Sequence, residues 1–109
     1  MALAELPALG RINDRLAANN ARVRQSLDAL VERIESILTS GKIGDWNMVE
    51  RQCERIADES RAAGLMEVSN AAELTCEELF RADNEFGVKR AIIKLVAAHG
   101  RAVRAIAAK

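Results

Sequence analysis

The fold is decided by residues 44–65, which read Gly-Asp-Trp-Asn-Met-Val-Glu-Arg-Gln-Cys-Glu-Arg-Ile-Ala-Asp-Glu-Ser-Arg-Ala-Ala-Gly-Leu. Apolar and small side chains recur there at steps of three and four residues: Trp46, Val49, Cys53, Ile56, Ser60 and Ala63. This spacing predicts one buried stripe on an amphipathic α-helix. Asp45 can cap the first turn of the helix, and Gly64 suits the turn that ends it. We therefore expect a helix over about residues 45–63.

The same spacing continues on both sides and predicts four further helices, over about residues 7–18, 20–39, 65–80 and 85–108. The most regular seam belongs to the helix over 20–39: Val23, Leu27, Leu30, Ile34 and Ile37. We expect Asn19-Asn20 to break the chain between the first two helices. Short connections make consecutive helices antiparallel neighbours. Residues 1–109 should therefore form a single all-α domain, an antiparallel four-helix bundle with an N-terminal accessory helix.

Two segments complete this expected organisation. The accessory helix should turn Leu9, Ile12 and Leu16 to one side, and the polar run 81–84 should separate the last two helices. The last helix should bury an inward side: Val88, Ile92, Leu95, His99, Val103 and Ile106.

Charge is balanced over the chain but not along it. Residues 45–85 carry eleven acidic and four basic residues, a local charge of −7, and residues 86–109 carry six basic and no acidic residues, +6. We expect the acidic central helices to face the basic last helix, which leaves no surface that favours nucleic acid. No apolar run approaches the ~20 residues of a membrane span, and we expect no signal peptide. Two cysteines without metal-type spacing favour a reducing, cytoplasmic setting.

Residues 44–65 resemble the core helix of histidine-containing phosphotransfer (HPt) domains. That family has Gly-Asp-Trp, then an amphipathic helix with His-x-x-Lys-Gly, then a glycine turn. Gly44, Asp45, Trp46, Val49 and Gly64 match this order and spacing. The phospho-accepting position holds Glu54, and the Lys-Gly positions hold Ala57 and Asp58. The resemblance implies an HPt-type bundle that lacks the nucleophile of a bacterial phosphorelay carrier.

A neutral imidazole can attack an aspartyl phosphate, whereas a carboxylate is repelled by the phosphoryl group. The resemblance therefore implies a non-catalytic protein that docks receiver domains of two-component systems without carrying phosphate. The docking surface would lie on the exposed side of the helix: Gln52, Glu54, Arg55, Asp58, Glu59 and Arg61. Alternatively, the acidic row Glu50-Glu54-Asp58 is a solvated charge ladder, offset by Arg51–Glu54, Arg55–Glu59 and Asp58–Arg61 pairs. A second alternative for the whole chain is a helical interaction or dimerisation module unrelated to phosphorelay.

Three other candidate sites remain. His99, the only histidine, is expected to be hydrogen-bonded near the rim of the bundle, with a displaced phosphorylation site as the minor alternative. Cys53 and Cys76 should lie at the same level of two adjacent helices, reduced in the core, with a redox-sensitive disulfide as the alternative. The sequence has no Glu-x-x-His pairs, phosphate loop or nucleophile elbow, so we expect no metal, no cofactor and no enzymatic activity. It leaves the oligomeric state open.

Overall fold

The structure, a computed structural model, describes the backbone of residues 2–81 and 85–108 and the side chains of 10–81 and 85–108. These residues form four α-helices and no β-strand: α1 (Ala2–Lys42), α2 (Trp46–Ala62), α3 (Met66–Leu79) and α4 (Glu85–Ala107). This confirms the all-α class, and the arrangement is compatible with a four-helix bundle. α2, α3 and α4 begin and end within about two residues of their predicted limits. Most of the predicted break at 81–84 lies outside the described residues.

The prediction of a separate accessory helix is wrong. Asn19 and Asn20 lie inside the 41-residue helix α1, so the first two predicted helices are one. An asparagine in a helix interior costs only a fraction of a kcal/mol relative to alanine. A break would instead leave the last carbonyls of one helix and the first amides of the next without partners. The continuous helix avoids that larger cost.

One hydrophobic core lies between the four helices. α1 contacts α2 and α4, and α3 also contacts α2 and α4, whereas no backbone contact joins α2 to α4 in the part of the chain that the structure describes. The predicted seam of α1 is confirmed, because Leu27, Leu30, Ile34 and Ile37 are all buried. α2 contributes Val49, Cys53 and Ile56, each fully buried. On α4 the predicted inward stripe is confirmed except for Val103, which is 39% exposed because it lies at the edge of the buried face.

Two glycine turns fix the orientation of α2 in this core. Gly44 and Gly64 have positive φ angles of 75° and 77°, which glycine adopts without steric cost. The turns are closed by backbone bonds from the Asp45 amide to the Ser40 carbonyl (2.9 Å) and from the Leu65 amide to the Ser60 carbonyl (2.7 Å). These bonds satisfy carbonyls at the ends of α1 and α2. The stretch that carries the resemblance is therefore held at both ends.

Buried hydroxyl groups join α2 to α3 and satisfy their own polar atoms. Ser69 of α3 donates to the Ala57 carbonyl of α2 (2.9 Å), and Ser60 donates to the Ile56 carbonyl. Thr75 donates to the Ala71 carbonyl one turn earlier (2.9 Å). No buried side-chain nitrogen or oxygen lacks a partner among the described residues. The interface between α2 and α3 is therefore fully hydrogen-bonded as well as apolar.

The N-terminal half of α1 extends beyond the other helices. The molecule measures 66 × 20 × 20 Å, and a 41-residue helix accounts for nearly all of the long dimension. Ile12 and Leu16, which were predicted to lie on one side of this segment, are 52% and 56% exposed. The side chain of Leu9, the third residue of that prediction, lies outside the described residues.

Candidate functional site

The candidate site is the solvent-exposed side of α2. Asp45 caps this helix, because its side chain accepts a hydrogen bond from the Met48 amide (3.2 Å). Trp46 is half-buried and packs against the core at the first turn. The cap and the indole fix where α2 begins and which of its sides faces α1 and α3. Because the start and the orientation of α2 are fixed, each later residue of α2 lies on a defined side of the helix.

The six predicted docking residues do not form one continuous patch. Gln52 and Glu59 lie on the flank next to α1, where Arg33 contacts both of them. Arg33 donates to the two carboxylate oxygens of Glu59 (2.9 and 2.6 Å) and to the Gln52 amide oxygen (3.1 Å). This two-bond geometry is the strongest arrangement for an arginine–carboxylate pair. Gln52 and Glu59 therefore already serve to hold α1 against α2.

Asp58 and Arg61 lie on the opposite flank, next to α3. Arg61 forms an ion pair with Glu73 of α3, and its other terminal nitrogen lies 3.8 Å from the Asp58 carboxylate. The Asp58 side chain remains 79% exposed, so this second contact is weak. Arg55 points outward between the two flanks and has no ion pair in the structure.

Glu54 is exposed and unpaired. Among the described residues its carboxylate has no hydrogen bond or ion pair, so the predicted Arg51–Glu54 pair is wrong, as is Arg55–Glu59. The predicted Asp58–Arg61 pair is present. Arginines of α1 and α2 pair with acids on neighbouring helices instead, because the helix–helix interfaces place those acids closer. The charge of Glu54 is therefore available to a partner or to solvent.

Ala57, which stands where the HPt pattern has its lysine, does not lie on the surface beside Glu54. Ala57 is only 5% exposed and belongs to the core cluster with Ile56 and Val68. Its carbonyl accepts the hydrogen bond from Ser69 described above. A lysine at this position would have to leave the interface between α2 and α3 to reach solvent. This part of the HPt pattern is thus replaced by core packing.

Cys53 and Cys76 meet directly behind Glu54, which confirms that they lie at the same level. Both thiols are free, with Cys53 buried and Cys76 half-buried. The hydrogen bond between the two thiols and burial raise the pKa of Cys53 far above its usual range. The same hydrogen bond lowers the pKa of Cys76, although burial and the carboxylates of Glu54 and Glu50 oppose that shift. Cys76 is therefore the more acidic and more accessible thiol of the pair.

His99 joins α4 to α1. Its Nε2 atom lies 2.8 Å from the Leu27 carbonyl oxygen, and because a carbonyl only accepts, Nε2 donates. The side chain is half-buried. This confirms a hydrogen-bonded histidine at the rim of the core, and Nε2 is engaged by that bond.

Two surface features were missed in the sequence. The first is a groove of about 1130 Å³ between α1 and the end of α2, which runs from Asn19 to Arg33 on α1. The second is an exposed apolar patch where α3 meets α4, formed by Leu74 and Phe86. The Arg90 guanidinium lies over the Phe86 ring, 5.0 Å from its centroid. The position of Phe86, off the core stripe of α4, is the sequence signal for this patch.

The described part of the chain contains neither a metal-binding cluster nor a membrane-spanning helix. No group of three or more His, Cys, Asp or Glu side chains could hold a metal ion there. None of the described helices combines the length and the apolar character that crossing a membrane requires. Comparison of the chain with family models, with curated proteins and with solved structures finds no significant match.

Proposed function

We propose that this chain is a non-catalytic HPt-like signalling protein that docks receiver domains through the exposed side of α2. The observation that carries the proposal is Glu54, an exposed and unpaired carboxylate at the position of the phospho-accepting histidine. Glu50 and Asp58 extend this charge one turn in each direction along α2. A fixed negative charge there resembles a phosphorylated histidine in sign, and it binds without transferring phosphate.

The fold component of this proposal is an antiparallel bundle of the HPt type. Contacts between α1 and α4 support the antiparallel order, because Leu27 lies next to His99 and the earlier residue Arg24 reaches the later residue Ile106. The free thiols of Cys53 and Cys76 suit a reducing bacterial cytoplasm, which completes the proposed setting. The docking surface is narrower than the six predicted residues. It centres on Glu54, Arg55 and Asp58, since Gln52 and Glu59 are engaged by Arg33.

The test measures affinity with purified receiver domains from the same genome as this chain. Glu54→Lys should weaken binding by about tenfold or more, because a reversed charge meets the surface that the carboxylate attracted. Glu35→Lys is the matched control, since Glu35 is exposed on α1 and has no ion pair. Both variants should melt with the wild type, as exposed substitutions change stability by about 0.5 kcal/mol or less. If no receiver binds, or if both variants bind equally well, the proposal fails.

A second candidate is a helical interaction module with no receiver partner. The apolar patch at α3 and α4 favours it, because Leu74 and Phe86 are 51% and 71% exposed in a chain with only three aromatic residues. One comparison of two variants distinguishes the two candidate functions. A partner that is lost with Phe86→Ser and retained with Glu54→Lys uses the apolar patch; the opposite result assigns it to the α2 surface.

A further inference from the structure

The N-terminal half of α1 is a helix without neighbours. The other helices end close to Arg24, which donates to the Ile106 carbonyl at the end of α4 (3.4 Å). Every residue from Gly10 to Asn19 is exposed. A segment of this length, with a glycine and several asparagines, is a marginal helix in water when nothing packs against it. Ile12 and Leu16 are nevertheless arranged to pack against something.

The groove beside α2 continues the surface of this segment. Five residues of α1 that line the groove follow steps of three and four: Asn19, Arg22, Ser26, Ala29 and Arg33. Two further steps back along the chain give Arg15 and Ile12, so one side of α1 runs from the unpacked segment into the groove. Ala62 and Ala63 line the other wall of the groove at the end of α2. These small side chains allow another helix to approach closely.

We propose that this side of α1 binds the same side of α1 from a second copy of the chain, in an antiparallel pair. With the two-fold axis between Asn20 and Ala21, Ile12 of one copy lies opposite Ala29 of the other. The unpacked segment of each copy then enters the groove of its partner. Such a contact is isologous and closes on itself, which yields a dimer and not a filament.

Charge and apolarity both match in this register. On one border of the contact Arg11 lies opposite Glu32 of the second copy, and on the other Leu16 lies opposite Val23. Arg11 and Glu32 are exposed and form no ion pair with any other residue whose side chain the structure describes. The two-fold axis repeats each pairing, so the dimer contains both twice. In the seam itself Arg15 lies opposite Ser26 and Arg22 lies opposite Asn19, so neither of these arginines lies directly opposite another charge.

The proposed dimer is independent of receiver docking. It covers Gln52 and Glu59, which line the groove, and leaves Glu54 and Asp58 on the far flank of α2 exposed. A single pair of helices with a largely polar seam makes the contact, so we expect a reversible dimer with a dissociation constant on the order of micromolar. Failure of the dimer would leave the receiver proposal standing, and the reverse also holds.

The experiment is sedimentation of the full chain over a wide range of concentrations, with charge reversals. Arg11→Glu and Glu32→Arg should each weaken dimerisation by about tenfold or more, because each places like charges together twice in the dimer. The double variant Arg11→Glu/Glu32→Arg restores opposite charges and should dimerise like the wild type. Arg51→Glu, on the exposed side of α2 and outside the groove, is the control and should have no effect on dimerisation.

Circular dichroism on the same samples distinguishes loss of the dimer contact from loss of helical structure. The wild type and the double variant should gain helicity as concentration rises, since pairing stabilises the marginal segment of α1. A wild-type chain that remains monomeric at every concentration overturns the proposal. So does a dimer that the single reversals leave unchanged, or one that the double variant does not restore.

Discussion

Ala57→Lys would place the HPt family's lysine where this structure has packed core. Ala57 is 5% exposed, and its carbonyl accepts the 2.9 Å hydrogen bond from Ser69 of α3. The new side chain adds three carbons and an ammonium group between α2 and α3. Ala57 lies at the border of the interface between α2 and α3. The lysine ammonium can therefore reach water only if the aliphatic part of the side chain displaces Val68 or bends around it. Overpacking of this kind costs about 1–3 kcal/mol.

The expected result is a lower melting temperature. A domain of about 100 residues loses about 4–8 °C for each kcal/mol, so Ala57→Lys should melt about 5–20 °C below the wild type in circular dichroism. Ala97→Lys makes the same chemical change on the exposed side of α4 and should stay within about 0.5 kcal/mol of the wild type. Equal melting of the wild type and Ala57→Lys would refute the packing of α2 against α3 at this position. It would also return the lysine position to the docking surface.

Two further predictions concern contacts behind and beside the docking surface. Arg33→Met should lower the free energy of unfolding in urea by about 1 kcal/mol. The two-bond contact with Glu59 is lost in this variant, while most of the packing of the aliphatic stem is kept. An unchanged free energy of unfolding would mean that this pair does not hold α1 against α2. Iodoacetamide should modify Cys76 before Cys53 in the folded chain, with a midpoint pH below that of an unperturbed cysteine thiol, since the hydrogen bond with Cys53 lowers the Cys76 pKa. Equal rates for the two thiols would contradict this.

The limits of the helices that pack in the core could be predicted from the sequence. The continuity of α1, whose N-terminal half extends beyond the core, could not. α2, α3 and α4 combine regular apolar spacing with end signals, and they begin and end close to the expected residues. At Asn19 and Asn20 the capping preference of asparagine suggested a break. Capping preference describes helix ends, however, and carries little weight where the apolar stripe continues in phase from Leu16 to Val23. The periodicity, followed across the asparagines, was the better guide.

The exposure of the predicted docking residues was predictable, but their partners were not. Glu54, Arg55 and Asp58 are exposed, as expected for residues off the core stripe of α2. Pairs at spacings of three and four residues were expected along α2 itself. The strongest pair instead joins Glu59 to Arg33, 26 residues earlier in the chain. Arginine side chains are long enough to cross a helix interface, so the neighbouring helix decides which acid they meet.

The arrangement of the four helices also decides where charge is left unbalanced. The sequence suggested that the basic last helix would neutralise the acidic central helices, and one such contact exists, Arg101 of α4 with Glu67 of α3. α4 has no backbone contact with α2 among the described residues, since the two lie diagonally across the core. The acids of α2 around Glu54 therefore cannot be neutralised by α4. A net charge of zero therefore conceals an acidic surface around Glu54, and its attraction for a cationic partner would weaken as salt is added.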